Sequence, residues 1–451
     1  MKVVKFGGTS VASGEQIQKI FNIVTSDPER KVVVVSAPGK RFKEDIKVTD
    51  LLLSCVEQYL SSGEGKEAFE AVVARYKEIA DYLGVSAEVV DRISMDLLEI
   101  LHGDRSDAAR FRDAVVASGE DNCAKIVAAY FNVQGVEAHY VNPKEAGLFV
   151  TDEPGNAQVL PESYENLYAL RDRSGIIIFP GFFGYSKEGA VVTFSRGGSD
   201  ITGSILANGV KAAVYENFTD VDSVYSVNPN IVSNPKAIQE LTYREMRELS
   251  YAGFAVFHDE ALIPAFRAQI PVVIKNTNNP SAPGTKIAHE REHQNGPVTG
   301  IASDNGFASI YVSKYLMNRE IGFGRKLLHI LEDYDVSYEH TPSGIDDISV
   351  IVRQKQLDVG TEEQIVQRIK DELQADSVTV KRDLAMVMIV GEGMQQNIGT
   401  TAKAATALSK AGVNIDMINQ GSSEVSMMYG VQGVDEQKAV RALYDAFFNN
   451  N

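Results

Sequence analysis

Val3-Val4-Lys5-Phe6-Gly7-Gly8-Thr9-Ser10 stands almost at the start of the chain, and its order of apolar pair, lysine and paired glycines decides how the rest is read. Two glycines let a backbone approach an anion with no Cβ in the way, successive N–H groups can point at it, and Lys5 adds a fixed positive charge. The pattern lacks the Gly-Lys-Ser/Thr of a P-loop and the third glycine of a dinucleotide fingerprint. Taken alone it reads equally well as a Gly-Gly turn between a first strand and a first helix. Helix signals follow at once: Ser13 with Gln16 three residues on resembles a capping box, and Ile17, Ile20, Phe21 and Val24 share one face. Lys31–Val35 is then a short apolar run that passes through Ser36-Ala37 to Pro38-Gly39, as expected of a strand buried on both faces of a parallel sheet. The opening is a βαβ unit.

The 451 residues suggest about two to four domains. With 44 basic against 61 acidic side chains, a formal net charge of −17, nucleic acid and anionic membranes are excluded as main partners, and any anionic ligand must be held by local positive groups. Two isolated cysteines, Cys55 and Cys123, make neither a disulfide framework nor a zinc site. No signal peptide is evident and no apolar run approaches about 18 residues, so a cytoplasmic protein is expected.

From Thr49 to Tyr130 the pattern is mostly helical, broken at Ser61–Gly65. Further strands are expected at Gly175–Phe179, Ala212–Tyr215 and Pro271–Lys275, which alternate with helical sequence to give a three-layer α/β domain with a mainly parallel sheet. The polar stretch from His289 to Pro297 marks the boundary. Beyond it lies an internal repeat, in which Ile321-Gly322, Leu331, Val336, Ile348 and Ser349 correspond to Ile398-Gly399, Leu408, Val413, Val425 and Ser426 at one offset of 77 positions (321 to 398). Each copy reads as a small βαββαβ unit, and two side by side could bury their sheet edges or pair them across a dimer. The expected domains are 1–290, 298–375 and 380–451.

A second strand, Gly-Gly and helix junction occurs at Phe194-Ser195-Arg196-Gly197-Gly198-Ser199-Asp200. Two such turns, each at a helix start with a cation beside it, suit a polyphosphate gripped from two sides, and Arg196 could also make a bidentate bond to a carboxylate. The plainer reading is a surface turn capped by Ser199 or Asp200.

With both glycine turns, Thr49-Asp50-Leu51-Leu52, Ser118-Gly119-Glu120, Thr219-Asp220-Val221-Asp222-Ser223-Val224-Tyr225 and the C-terminal repeat in order, the chain resembles aspartate kinase of the amino-acid kinase superfamily over essentially its whole length. The resemblance implies an amino-acid kinase domain followed by two ACT-like units. It implies phosphorylation of the β-carboxylate of L-aspartate by ATP with Mg²⁺, the opening step toward lysine, threonine and methionine. By the same resemblance Lys5, Gly8, Arg196 and Asp200 serve the transfer, and Thr49, Glu120, Arg196, Ser199 and Asp200 hold aspartate. Lys5, Gly7, Gly8, Ser10, Gly197, Gly198, Thr219, Asp220 and Tyr225 would border ATP. Met317, Phe323, Gly324, Glu339 and Ser343 would bind a regulatory amino acid, with lysine favoured over threonine because Glu339 could meet an ammonium. A homodimer or homotetramer through the ACT-like units is implied, and no metal site beyond the Mg²⁺ of ATP. Two positions depart from the family pattern, Asn230 and Ala255, where many members are basic; His258 is expected to be structural. A kinase of another small carboxylate, or an amino-acid sensor with a weakened kinase domain, are the alternatives. Since the chain ends soon after the second repeat, a fused homoserine dehydrogenase is not expected.

Overall fold

The computed structural model describes every residue except 196, 255–259, 292–295, 396, 422, 424, 450 and 451, so Arg196, Ala255 and His258 lie outside the described residues. The chain forms two compact units. The first comprises Met1–Val224, Ala237–Arg247 and Val256–Glu292, and the second Tyr225–Lys236, Glu248–Ala255 and His293–Asn451. The short excursions at 225–236 and 248–255 carry no signal in composition.

In chain order the elements up to residue 288 are β1 (Lys2–Phe6), α1 (Gly14–Thr25), β2 (Arg30–Val35), α2 (Val48–Ser61), α3 (Lys66–Leu83), α4 (Ala87–Leu101), α5 (Ala108–Val133), β3 (Ala138–Tyr140), α6 (Glu162–Tyr168), β4 (Ile176–Pro180), β5 (Phe183–Tyr185), β6 (Val191–Thr193), α7 (Gly198–Gly209), β7 (Val214–Thr219), β8 (Glu240–Thr242), α8 (Tyr243–Tyr251), α9 (Ile263–Arg267), β9 (Val272–Asn276) and β10 (Thr285–Ala288). Eight strands make one sheet in the order β3-β4-β2-β1-β7-β9-β10-β8, parallel throughout except where β10 turns back on β9. Period-two alternation divides β1 and β2 between two layers. Val4, Phe6, Val33 and Val35 pack against α1 to α5. Lys5 alternates with them and so faces the opposite layer, where α7 lies against β1, β2 and β7.

The capping box at Ser13 is half formed. Its Oγ accepts the Gln16 amide at 3.4 Å, but the Gln16 side chain donates to Asn278 instead. The strand expected at 212–215 begins later and runs to Thr219, because Lys2 of β1 registers with Val214. An apolar run could not mark its second half, since Glu216 and Asn217 are buried polar residues. The strand before the second glycine turn exists as β6, but among the described residues it pairs only with β5, in a separate hairpin.

After residue 298 come β11 (Gly300–Ser313), α10 (Phe323–Glu332), β12 (Tyr338–His340), β13 (Asp347–Arg353), α11 (Val359–Leu373), β14 (Ser377–Val390), α12 (Thr400–Lys410), β15 (Met417–Asn419), β16 (Ser426–Gln432) and α13 (Glu436–Tyr444). They share one six-stranded antiparallel sheet, β12-β13-β11-β14-β16-β15. The first repeat is a complete βαββαβ unit, using Phe307–Ser313 of β11 and the start of β14. The second supplies only βαββα in sequence, and its missing strand is Gly300–Asn305, which pairs with Ala385–Val390. Gly306, at φ +79°, breaks β11 where it passes from one half to the other.

Arg30 of β2 and Glu216 of β7 clamp the strands on either side of β1. Nε lies 2.6 Å from Oε2 and Nη2 3.1 Å from Oε1, and Arg30 also donates to the Ile23 carbonyl at 2.6 Å. Both side chains are buried. Removing one partner leaves the other charge desolvated, at a cost of about 3–5 kcal/mol, whereas an apolar pair of similar volume is tolerated far better. Glu216→Ala should therefore lower the melting temperature of the first unit markedly, and Arg30→Met with Glu216→Leu should recover most of it, as followed by circular dichroism.

Candidate active site

The carboxyl ends of β1, β2, β4, β7 and β9 converge on one side of the sheet. β2 and β7 leave β1 in opposite directions there, which opens the crevice typical of such sheets. Lys5 sits at that point, 7 % exposed, with Nζ 2.6 Å from Asp200 Oδ1. Asp200 belongs to the first turn of α7, and its Oδ1 also accepts from Asn217 Nδ2 at 2.6 Å. One carboxylate thus fixes both a strand lysine and a strand amide.

Glycines set the close approaches. A Cβ at Gly8 would lie 3.1 Å from the Ala37 carbonyl, and one at Gly181 would overlap Ser199 at 2.7 Å, so β4 could not end against α7. Gly197 precedes α7 at φ +76°, a conformation other residues rarely adopt. Neither Ser199 nor Asp200 caps that helix; both lie within its first turn.

The Ser118-Gly119-Glu120 stretch has a packing cause. A Cβ at Gly119 would meet Ala37 at 2.9 Å and Leu52 at 3.1 Å, so only glycine lets α5 come this close to α2 and the loop after β2. That approach carries Glu120 into the crevice. It is buried, the Ala37 backbone hydrogen-bonds to it, and its Oε2 has no partner. Burial pushes its carboxyl pKa up to about 8, against smaller opposing pulls from the Ala37 and Glu120 backbone and from Lys5.

Two cavities meet here. One, of about 510 Å³, reaches the second glycine turn at Gly197, Gly198 and Ser199; the other, of about 410 Å³, reaches the first at Gly7 and Gly8 and extends to Thr219 and Asp220. Lys5, Ser36, Thr49, Glu120 and Asp200 line both. The arrangement can hold a zwitterionic carboxylate on one side of Lys5 and a polyphosphate on the other.

Ser10 is buried, with its hydroxyl 2.7 Å from Thr277 Oγ1, and lines neither cavity, while Tyr225 is grouped with the second unit. Conversely Ser36, Lys40, Lys47, Arg112 and Asn217 line the cavities without having been marked by the sequence pattern. The basic run Lys40-Arg41-Phe42-Lys43 between a strand and a helix was the available signal for Lys40; Asn217 and Arg112 had none. No cluster of three or more metal-ligating side chains occurs among the described residues.

In the second unit, Met317 and Phe323 are buried near the start of α10, and a Cβ on Gly324 would have open space. The loop carrying Ser343 lies beside them, since Asn318 N donates to the Ile345 carbonyl at 3.1 Å. Glu339 stands apart from this group. It accepts from Arg353 Nε at 3.2 Å and from the Tyr251 hydroxyl, while Ser343 bridges Ile348 at the other end of β13. Its charge is already met by an arginine.

Residues 1–276 match the Amino acid kinase family and residues 387–447 the ACT domain. The chain is 67 % identical to Aspartokinase 3 of Bacillus subtilis over 99 % of both chains. The crystal structure of Clostridium acetobutylicum aspartate kinase superposes with a TM-score of 0.87 at 40 % identity, covering 99 % of this chain and 100 % of that one. E. coli aspartokinase III, at 24 % identity, shares the fold in its complex with aspartate and ADP (TM-score 0.81, 99 % and 100 % covered) and in its complex with lysine and aspartate (0.79, 99 % and 99 %). A strand-end lysine between two glycine turns, a buried glutamate beside it and these whole-length likenesses together make the chain a member of the aspartate kinases, in the amino-acid kinase family.

Proposed function

We propose that the enzyme transfers the γ-phosphoryl group of ATP, as its Mg²⁺ complex, to the β-carboxylate of L-aspartate, giving 4-phospho-L-aspartate and ADP, at the head of lysine, threonine and methionine synthesis. The observation that carries this reading is the pair of adjoining cavities sharing Lys5, Glu120 and Asp200. Aspartate occupies the cavity toward Ser199, and the polyphosphate occupies the one toward Gly7 and Gly8. The attacking β-carboxylate, with an ordinary pKa near 3.9, is already ionised, so no general base is needed. Catalysis then rests on alignment and charge neutralisation. Lys5 lies where the two ligands meet and neutralises the oxygens of the moving phosphoryl group, with Asp200 fixing its position. Glu120 receives the substrate ammonium and Arg196 its α-carboxylate, while Thr49 and Ser199 complete the pocket. Thr219 and Asp220 border the nucleotide.

Regulation follows the same reading. An end-product amino acid binds the second unit and shifts the enzyme between two states of different activity. The lysine complex of the E. coli enzyme makes lysine the first effector to test, and the protein is read as a homodimer or homotetramer. The residues near the start of α10 are better placed for that role than Glu339, which Arg353 and Tyr251 already engage.

Lys5→Ala should lower kcat by about 10²-fold or more, the scale of losing one electrostatic stabiliser, in an assay coupling ADP release to aspartate; near-normal turnover in a folded variant removes Lys5 from the transfer. Glu120 gives a pH signature. Its raised pKa means that the free site holds a mostly neutral carboxyl at pH 7 and an ionised one above pH 8. Because the aspartate ammonium favours the ionised form, binding should release a proton near pH 7, and the KM for aspartate should fall as pH rises toward 8 and then level off. Calorimetry in buffers of different ionisation heat counts the proton, and Glu120→Gln should abolish both effects. The same shift means that the stability gained by holding Glu120 neutral is fully present below about pH 4.5 and is lost as pH rises through 8. For regulation, lysine should bind the full-length enzyme and lower its rate; binding of no amino acid other than aspartate ends the sensor reading.

A further inference from the structure

The segment from Pro38 to Val48, between β2 and α2, is pinned from several sides. Gly39 N donates to the Gly8 carbonyl at 2.8 Å, and a Cβ on Gly39 would fall 2.7 Å from the Gly8 carbonyl carbon, so two loop backbones lie directly against one another. Val48 N closes the segment on the Pro38 carbonyl at 3.0 Å. Inside the loop Asp45 accepts from the Arg41 amide and Arg41 Nε, each at 2.9 Å, and pairs with Arg75 at 2.8 Å, while Arg75 also donates to the Gly39 carbonyl at 2.6 Å. Asp45 and Arg75 are both buried, and the two guanidinium groups hold the Asp45 carboxyl far below the usual carboxylate range. The segment is a surface loop held in place at Gly39 and Asp45.

Each end of this segment carries a lysine, Lys40 and Lys47, and both line the 410 Å³ cavity with Lys5, Gly7 and Gly8. Arg41, between them, is consumed by Asp45 and Glu78. Lys40 and Lys47 pair with no carboxylate among the described residues, and Lys40 Nζ donates only weakly, to the Lys43 carbonyl at 3.3 Å. The acids of the cavity are otherwise engaged or neutralised: Asp200 by Lys5 and Asn217, Asp220 by the Thr219 hydroxyl at 3.3 Å, and Glu120 by its burial. In a chain of net charge −17, two lysines without a carboxylate partner among the described residues stand beside a glycine turn, the combination that favours a polyanion.

We propose that Lys40 and Lys47 contact the phosphate oxygens of the nucleotide, and that Pro38–Val48 is the second wall of the polyphosphate cradle facing Gly7-Gly8. The assignment rests on the nucleotide reading given above. Lys5 serves the transferring group, whereas these two lysines hold the polyphosphate and so set nucleotide affinity. A charge-assisted phosphate contact corresponds to about tenfold in affinity.

The test uses the full-length enzyme with Lys40→Gln, Lys47→Gln, the double variant and the matching double Arg variant. Each single change should raise the KM for ATP about tenfold and the double change more, with the KM for aspartate within about twofold of wild type. ADP and inorganic tripolyphosphate binding, measured by calorimetry, should weaken in step and lose part of their salt dependence. The double Arg variant should restore most of the ATP affinity; its failure to do so overturns a charge contact. Unchanged ADP binding in the double Gln variant overturns the proposal while leaving the nucleotide reading intact. Absence of ADP binding to wild type overturns both.

Discussion

The contact between Lys5 and Asp200 is the constraint on which the site depends. It joins the end of the central strand to the first turn of α7, and both partners are largely shielded from solvent. Glycines with tight approaches surround it: Gly181, Gly198 and Gly203 admit α7, Gly8 and Gly39 admit the loop after β2, and Gly119 admits α5. The sheet supplies the platform, because β2 and β7 are themselves locked across β1 by Arg30 and Glu216. Rigid elements therefore deliver the charged groups to one point, the preorganisation that the proposed transfer requires.

Much of this was legible in the chain because glycines with steric work to do come in short motifs. Gly7-Gly8, Ser118-Gly119-Glu120 and Gly197-Gly198 were visible, and Lys5, Thr49, Glu120, Ser199, Asp200, Thr219 and Asp220 all line the two cavities. Asn217 carries no sequence signal, because a buried amide inside a strand breaks the apolar pattern that marks strands. Ser10 is the opposite case. It sits in the right motif, but the one-turn helix Gly8–Val11 directs its hydroxyl inward to Thr277. Glu339 likewise looked like a free acid in sequence, whereas its partners Arg353 and Tyr251 come from 14 residues after it and 88 residues before it.

The parallel sheet and the helical stretch between Thr49 and Tyr130 followed from periodicity. The arrangement of the C-terminal sheet did not. A constant repeat spacing reveals duplication, but it cannot reveal which strand closes which half, because strand pairing is a long-range choice made by whichever edge is left open. Here the open edge of the second repeat is filled by Gly300–Asn305, which precedes the first repeat in sequence.

That borrowed strand has a consequence for how such a duplication can be inherited. Because β11 and β14 each run through both halves, no single cut in the chain yields two intact copies: severing after the first repeat strands Gly300–Asn305 without its partner, and severing within β11 at Gly306 removes the strand that completes the second. The two copies are one indivisible cassette. Deletion or shuffling of a single repeat leaves an unpaired edge in the other, so lineages carrying this architecture are expected to keep or lose the pair together, and the two halves are free to diverge in what they bind while remaining bound to one fate in folding.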